Sequence, residues 1–109
     1  NGVFRVDKLL KMSGNNEEFV KKMISMFLET CPNDLNQIRG CINEGKLKEI
    51  GEVAHKIKPS IDYLSTEQLS DEVRIIESLE RGESVSKEKI FKFIDDVEFL
   101  MSEMSHYGK

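Results

Sequence analysis

The chain has little of what builds enclosed or covalently braced sites. Among its 109 residues are two cysteines, two prolines and two histidines. Two cysteines do not make a disulfide scaffold: with Cys31 and Cys41 on one helix, about 15 Å of rise would separate them, beyond bridging distance. No histidine stands at ligand spacing from either, which argues against zinc, and both read as small apolar core residues in a reducing compartment. A Gly-rich phosphate loop is missing, and no strand pattern exists to present one, so the chain is not expected to use ATP by itself. No apolar run approaches the roughly 20 residues that span a bilayer, and no secretory signal opens the chain. The formal net charge of −4 argues against a general nucleic-acid binder, which neutralises phosphates with clustered Lys and Arg.

What is present is the balance of a water-soluble globular domain, 39% hydrophobic and 33% charged. The chain begins Asn1-Gly2 rather than with methionine and reads as an excised piece of a longer protein, a single domain over residues 1–109. Long segments rich in Lys, Glu, Leu, Ile and Met favour helix throughout. Val3, Phe4 and Val6 lead to Asp7, an N-cap candidate, and the run to Met12 ends at Ser13-Gly14, predicting a short helix that lids one end of a bundle. Asn15 or Asn16 caps a long helix with Glu17 and Glu18 in its first turn, where the dipole favours acids. Its stripe runs Phe19, Met23, Ile24, Phe27, Leu28, Cys31, Leu35, Ile38 and Ile42, coherent across Pro32, which predicts one kinked helix or two nearly coaxial ones.

Asn43-Glu44-Gly45 stops that helix, and the short turn to Lys46 makes the next one antiparallel. Leu47, Ile50, Val53, Ala54, Ile57, Ile61 and Leu64 form the third stripe, with a bend expected at Pro59. Ser65 or Thr66 caps a fourth helix lined by Leu69, Val73, Ile76 and Leu79 and ended by Arg81-Gly82. Ser84 or Ser86 caps the last, with Ile90, Phe93, Ile94, Val97, Leu100, Met101 and Met104 inward and His106 to Lys109 frayed. Met23, Met26, Met101 and Met104 read as core fillers. The sum is an all-α, antiparallel up-down four-helix bundle with a short extra N-terminal helix.

One residue does not serve packing. His55 lies roughly 150° from the middle of the third stripe, so it points to solvent. Gly51, Lys58, Pro59 and Asp62 share its helix surface. An exposed imidazole with a cation in reach and little bulk on the Gly51 side suits a large partner. A nucleophilic triad needs a pocket that an exposed bundle face does not offer. Metal catalysis needs further ligands, whereas the only other histidine is His106 in the tail. Phosphoryl acceptance remains: neutral imidazole is a competent nucleophile near neutral pH, and Lys58 can offset phosphoryl charge.

Ala54-His55-x-x-Lys58-Pro59-Ser60 on the second long helix resembles the histidine-containing phosphotransfer (HPt) domain, whose signature is a phosphoacceptor His followed three residues on by Lys, then Gly, then a small residue. Glu17-Glu18-Phe19, Phe27-Leu28-Glu29 and Asn43-Glu44-Gly45 are also similar to that family, the likeness covering about residues 4 to 80. Pro59 departs from the usual glycine, and Ser65 stands where a glycine often follows Leu64.

The resemblance implies a phosphorelay intermediate, with His55 as nucleophile and phosphocarrier, Lys58 as electrostatic stabiliser and Ser60 as a support for geometry. Lys48, Gly51, Glu52, Lys56, Pro59 and Asp62 become docking candidates. It further implies response regulator receiver domains and a sensor histidine kinase, in cis or in trans, as partners. The receiver supplies Mg²⁺, and no cofactor or metal is expected on this chain. A bacterial hybrid sensor kinase is the expected parent, and the location expected is cytoplasmic, free or tethered to a membrane-bound kinase. The rivals are an adaptor that docks a receiver without carrying phosphate, and the dimerisation and phosphoacceptor part of a histidine kinase. The latter builds its bundle from two chains, whereas one chain here supplies four main helices, so a monomer is expected.

Overall fold

The computed structural model describes residues 2–107. The order of elements is α1 (Val6–Met12), α2 (Glu17–Glu44), α3 (Leu47–Leu64), α4 (Glu67–Glu77), a 3-10 turn (Ser78–Arg81) and α5 (Lys87–Ser105). α3 packs on α2, α4 and the 3-10 turn, while α5 packs on α2 and α4. Thus α2, α3, α4 and α5 follow one another around a four-helix bundle, and α1 rests on α2 and α3. At 1.5 Å per residue the 28 residues of α2 span about 42 Å, which accounts for the 42 Å long axis of the molecule. Among the described residues no helix is long and apolar enough to cross a membrane.

The ends of the helices are set by local chemistry. Asn16 Oδ1 accepts from the Phe19 amide (3.1 Å), Thr66 Oγ1 from Leu69 (3.3 Å) and Ser86 Oγ from Lys89 (3.2 Å), each filling an amide that the helix leaves unpaired. Gly45 closes α2 at φ 71°, and the amides of Gly45 and Lys46 return to the Ile42 and Cys41 carbonyls. Asp7 does not cap α1. The cap position belongs to Arg5, and Asp7 sits in the first turn paired with the Arg5 guanidinium. Instead α1 is tied down from outside, by the Arg5 amide on the Leu64 carbonyl (2.7 Å) and by Glu103 accepting from the Val3 and Phe4 amides (2.6 and 2.9 Å).

Both prolines lie on exposed positions of unbroken helices, so α2 is one helix across Pro32 rather than two. The stripes form one core in which Leu9, Val20, Ile38, Ile61, Phe93 and Leu100 are fully buried. Cys31 and Cys41 are free and buried, and burial pushes the Cys31 thiol up to about 12, which makes it inert. Two stripe residues, Phe19 and Leu47, and Met26, read as a core filler, are at the surface, the last 53% exposed. Leu47 begins its helix, where the neighbouring elements no longer cover it. Tyr107, expected to fray, packs edge-on against Phe4 with ring centres 5.9 Å apart; Gly108 and Lys109 lie outside the described residues.

A mostly buried acid marks the α4–α5 seam. Glu72 lies 3.6 Å from Lys92 Nζ, which is held closer, at 2.7 Å, by Asp96. Its Oε1 has no hydrogen-bond partner among the described residues. Burial, reinforced by Asp96, pushes the Glu72 carboxyl up to about 7. A native value above the ordinary 4.5 means that ionising Glu72 costs more in the folded chain than in the unfolded one. That cost is absent at lower pH, grows from about pH 4.5 and is complete above about pH 7. Urea denaturation of Glu72→Gln should accordingly match the parent near about pH 4 and exceed it by about 1–3 kcal/mol near about pH 8. Equal stabilities at both pH values would contradict the assignment.

Candidate functional site

His55 sits midway along α3, its side chain 61% exposed, on the edge where α3 meets the end of α4. The α4 helix stops at Glu77 and the chain tightens into the 3-10 turn, closed by Gly82 at φ 86°. Leu79 anchors this turn in the core. The turn can come so close because residue 51 is glycine. A Cβ there would lie 2.2 Å from the Glu80 amide nitrogen and 2.9 Å from its Cα. Gly51 is buried, and the open space read beside it is filled by this chain's own backbone. It is a packing residue, and its assignment to partner docking is corrected.

This approach brings two acids to the imidazole. Glu77, only 7% exposed, is bonded through Oε2 to His55 Nδ1, and Glu80 Oε2 lies 3.6 Å from the same nitrogen. Lys58, one turn beyond His55, donates to both Glu77 oxygens at 2.8 and 3.0 Å. Burial acts to raise the Glu77 carboxyl, but the hydrogen bonds and charges of Lys58 and His55 outweigh it and hold it below its usual range. Glu77 is therefore an ionised acceptor. An ionised acceptor requires Nδ1 to carry a proton, so the neutral ring keeps its lone pair on Nε2. The site thus selects which nitrogen is nucleophilic.

Glu77 and Glu80 were not legible as site residues. The available signal was an acid at position 77 beside Ile76 and one turn past Val73, on the margin of the apolar stripe. Of the predicted residues, His55 and Lys58 are brought together through Glu77. Ser60 is half-buried and takes no part in the bonds joining those three. Lys48, Glu52 and Pro59 are exposed around the histidine. Lys56 is engaged with buried Asp34 (2.9 Å), and Asp62 accepts both Arg74 nitrogens at 2.9 Å, which holds it below the usual carboxylate range against the opposing effect of burial.

The arrangement is a solvent-facing imidazole joined to a cation through one shared carboxylate, and a family model described as "Hpt domain" matches residues 22–104. The chain belongs to the Hpt domain family. The match includes α5, in which the sequence carries no motif, so family membership covers the whole four-helix bundle. Comparison with curated proteins and with solved structures returns no significant match. Membership places the Hpt domain in histidine phosphotransfer within two-component phosphorelays, a system whose other parts are receiver and kinase domains.

Since Gly51 sets how closely the 3-10 turn approaches α3, Gly51→Ala tests the geometry. The added methyl meets backbone, which yields less readily than a side-chain tip, so strain should exceed the helix-propensity gain of about 1 kcal/mol. We expect a net loss of about 1–3 kcal/mol in chemical denaturation and a changed His55 imidazole signal by NMR. A variant of parent stability with an unchanged His55 signal would show that the approach is not constrained.

Proposed function

We propose that this Hpt domain is a phosphorelay intermediate in which His55 accepts a phosphoryl group from the aspartate of one receiver domain and passes it to another. The observation carrying this reading is the Glu77 contact on Nδ1 of an exposed imidazole, so that in the neutral ring Nε2 holds the lone pair. In the forward step Nε2 attacks phosphorus, the bond from phosphorus to the aspartyl oxygen breaks, and the aspartate departs as carboxylate. The ring becomes a phosphorylated imidazolium, and Glu77 offsets its charge through Nδ1–H. Lys58 uses two N–H donors on Glu77 and has a third for a phosphoryl oxygen. Ser60 at most supports the helix geometry.

Mg²⁺ and the acidic pocket belong to the receiver, and no cofactor of this chain takes part in the transfer. A receiver would dock over His55 onto Lys48, Glu52, Lys56, Pro59 and Asp62. The domain is a phosphocarrier with no ATP-dependent kinase activity, in a cytoplasmic setting with a sensor kinase in cis or in trans. A bundle completed by one chain supports a monomeric domain.

Incubation with a phosphorylated receiver and Mg²⁺ should put acid-labile label on the parent and none on His55→Gln. Lys58→Ala should fold and accept label at least about tenfold more slowly. Binding without label would leave the adaptor reading, and transfer by Lys58→Ala at the parent rate would remove its role. Light scattering should give the mass of one chain; a dimer would favour the kinase-dimerisation reading.

A further inference from the structure

The acids beside His55 do more than orient it. His55 Nδ1 and one carboxylate oxygen each from Glu77 and Glu80 lie within 4.8 Å of one another on a face open to solvent. We infer that these three groups form a binding site for a transition-metal dication of the zinc type, and that occupancy switches the phosphoacceptor off.

The geometry suits such an ion. Zinc with bonds of about 2.0–2.2 Å to nitrogen and oxygen holds its tetrahedral ligands about 3.3 Å apart. The His55–Glu80 separation of 3.6 Å is close to that spacing, and the direct His55–Glu77 hydrogen bond has to open by less than the length of one bond. Glu77 is not placed by chance rotation of a surface side chain, and Glu80 starts from a fixed backbone. Glu77 is buried and held through both oxygens by Lys58, and the Glu80 backbone is fixed against Gly51. With the ion on Oε2, Lys58 remains on Oε1 at 3.0 Å, the kind of supporting contact that orients a metal-bound carboxylate. Water fills the fourth position. One imidazole and two carboxylates favour zinc, cobalt or iron over Mg²⁺, which prefers oxygen ligands and keeps its waters.

The inhibitory consequence follows from proton accounting on one ring. A neutral imidazole carries one proton. In the metal-free site that proton is on Nδ1, bonded to Glu77. When the metal–Nδ1 bond forms, the Nδ1–H bond breaks and, through solvent, a proton is taken up at Nε2. The ring stays neutral, but the lone pair that would attack phosphorus is now an N–H bond. Metal binding and phosphoryl acceptance therefore exclude each other. This consequence rests on His55 being the acceptor; the binding site does not.

Calorimetric titration with Zn²⁺ tests the site on the protein as it stands. The parent should bind one ion; Glu80→Gln and His55→Gln should each weaken binding by about 10–100-fold, and His106→Gln should leave it unchanged. Binding equally strong in Glu80→Gln and His55→Gln, binding lost in His106→Gln, or none at millimolar Zn²⁺ would overturn the site. The switch is read with phosphoramidate, a small phosphoryl donor that needs no receiver, following phosphohistidine by ³¹P NMR. Saturating Zn²⁺ should slow labelling of the parent at least about tenfold and have little effect on Glu80→Gln at the same concentration. Undiminished labelling of a zinc-loaded parent would refute the tautomer argument. If His55 takes no label even without zinc, the phosphoacceptor reading and the switch fail, while the titration still decides the metal site.

Discussion

A carboxylate as buried as Glu77 stays ionised only where donors replace the water it has lost. Two do so, Lys58 from one turn of α3 and His55 from the preceding one. Several features of the structure depend on that replacement. It locks the end of α4 against the middle of α3, because sliding either helix would leave the Glu77 carboxylate short of its donors. It places the proton of His55 on Nδ1. It also draws Lys58 partly into the protein, where its charge stays beside the imidazole instead of dispersing into solvent. The contact that stabilises the fold at this point is the same one that prepares the chemistry.

Much of this was readable in the sequence, for reasons tied to particular residues. The phase of α3 follows from Ile50, Ala54, Ile57 and Ile61, so the outward direction of His55 and its neighbourhood with Lys58 are consequences of helical spacing alone. Caps at Asn16, Thr66 and Ser86, and the stop at Gly45, are local chemistry and were accordingly legible to within about two residues. Gly51 was not. A helical wheel gives directions but not the width of the covered arc, and α3 is the most enclosed helix, touched by α1, α2, α4 and the 3-10 turn. Its buried arc is wider than its apolar stripe, and it swallows a glycine that looked like room for a partner. Glu77 and Glu80 were hidden for a related reason: their meeting with His55 depends on the tight turn after α4, which no spacing within one helix encodes.

Pro59 illustrates how a departure from the family pattern is absorbed. Proline has no N–H to return to the His55 carbonyl, so that carbonyl loses its ordinary helical donor. Such a loss is costly only where water cannot compensate. Pro59 is exposed, as is His55, and α3 continues to Leu64. The substitution therefore falls on the side of α3 where a broken backbone bond is cheapest, and it leaves the inward residues Ile57 and Ile61 in phase with the core.

On the role proposed for His55, the charge around the imidazole bears on how phosphate would reach it. Two carboxylates, Glu77 and Glu80, stand against the imidazole, with the Lys58 ammonium bonded to the first. Two carboxylates against one ammonium do not make an anion site, and Coulomb repulsion from Glu77 and Glu80 opposes a dianionic donor. In the proposed relay a Mg²⁺ carried by the receiver would offset that repulsion. Were His55 phosphorylated as proposed, the ring would carry a positive charge directly against Glu77, and the acids that repel stray phosphate would stabilise the loaded state. The exposed face, poor as an enclosed active site, is thereby suited to a reaction whose enclosure, cation and second reactant all arrive with the partner.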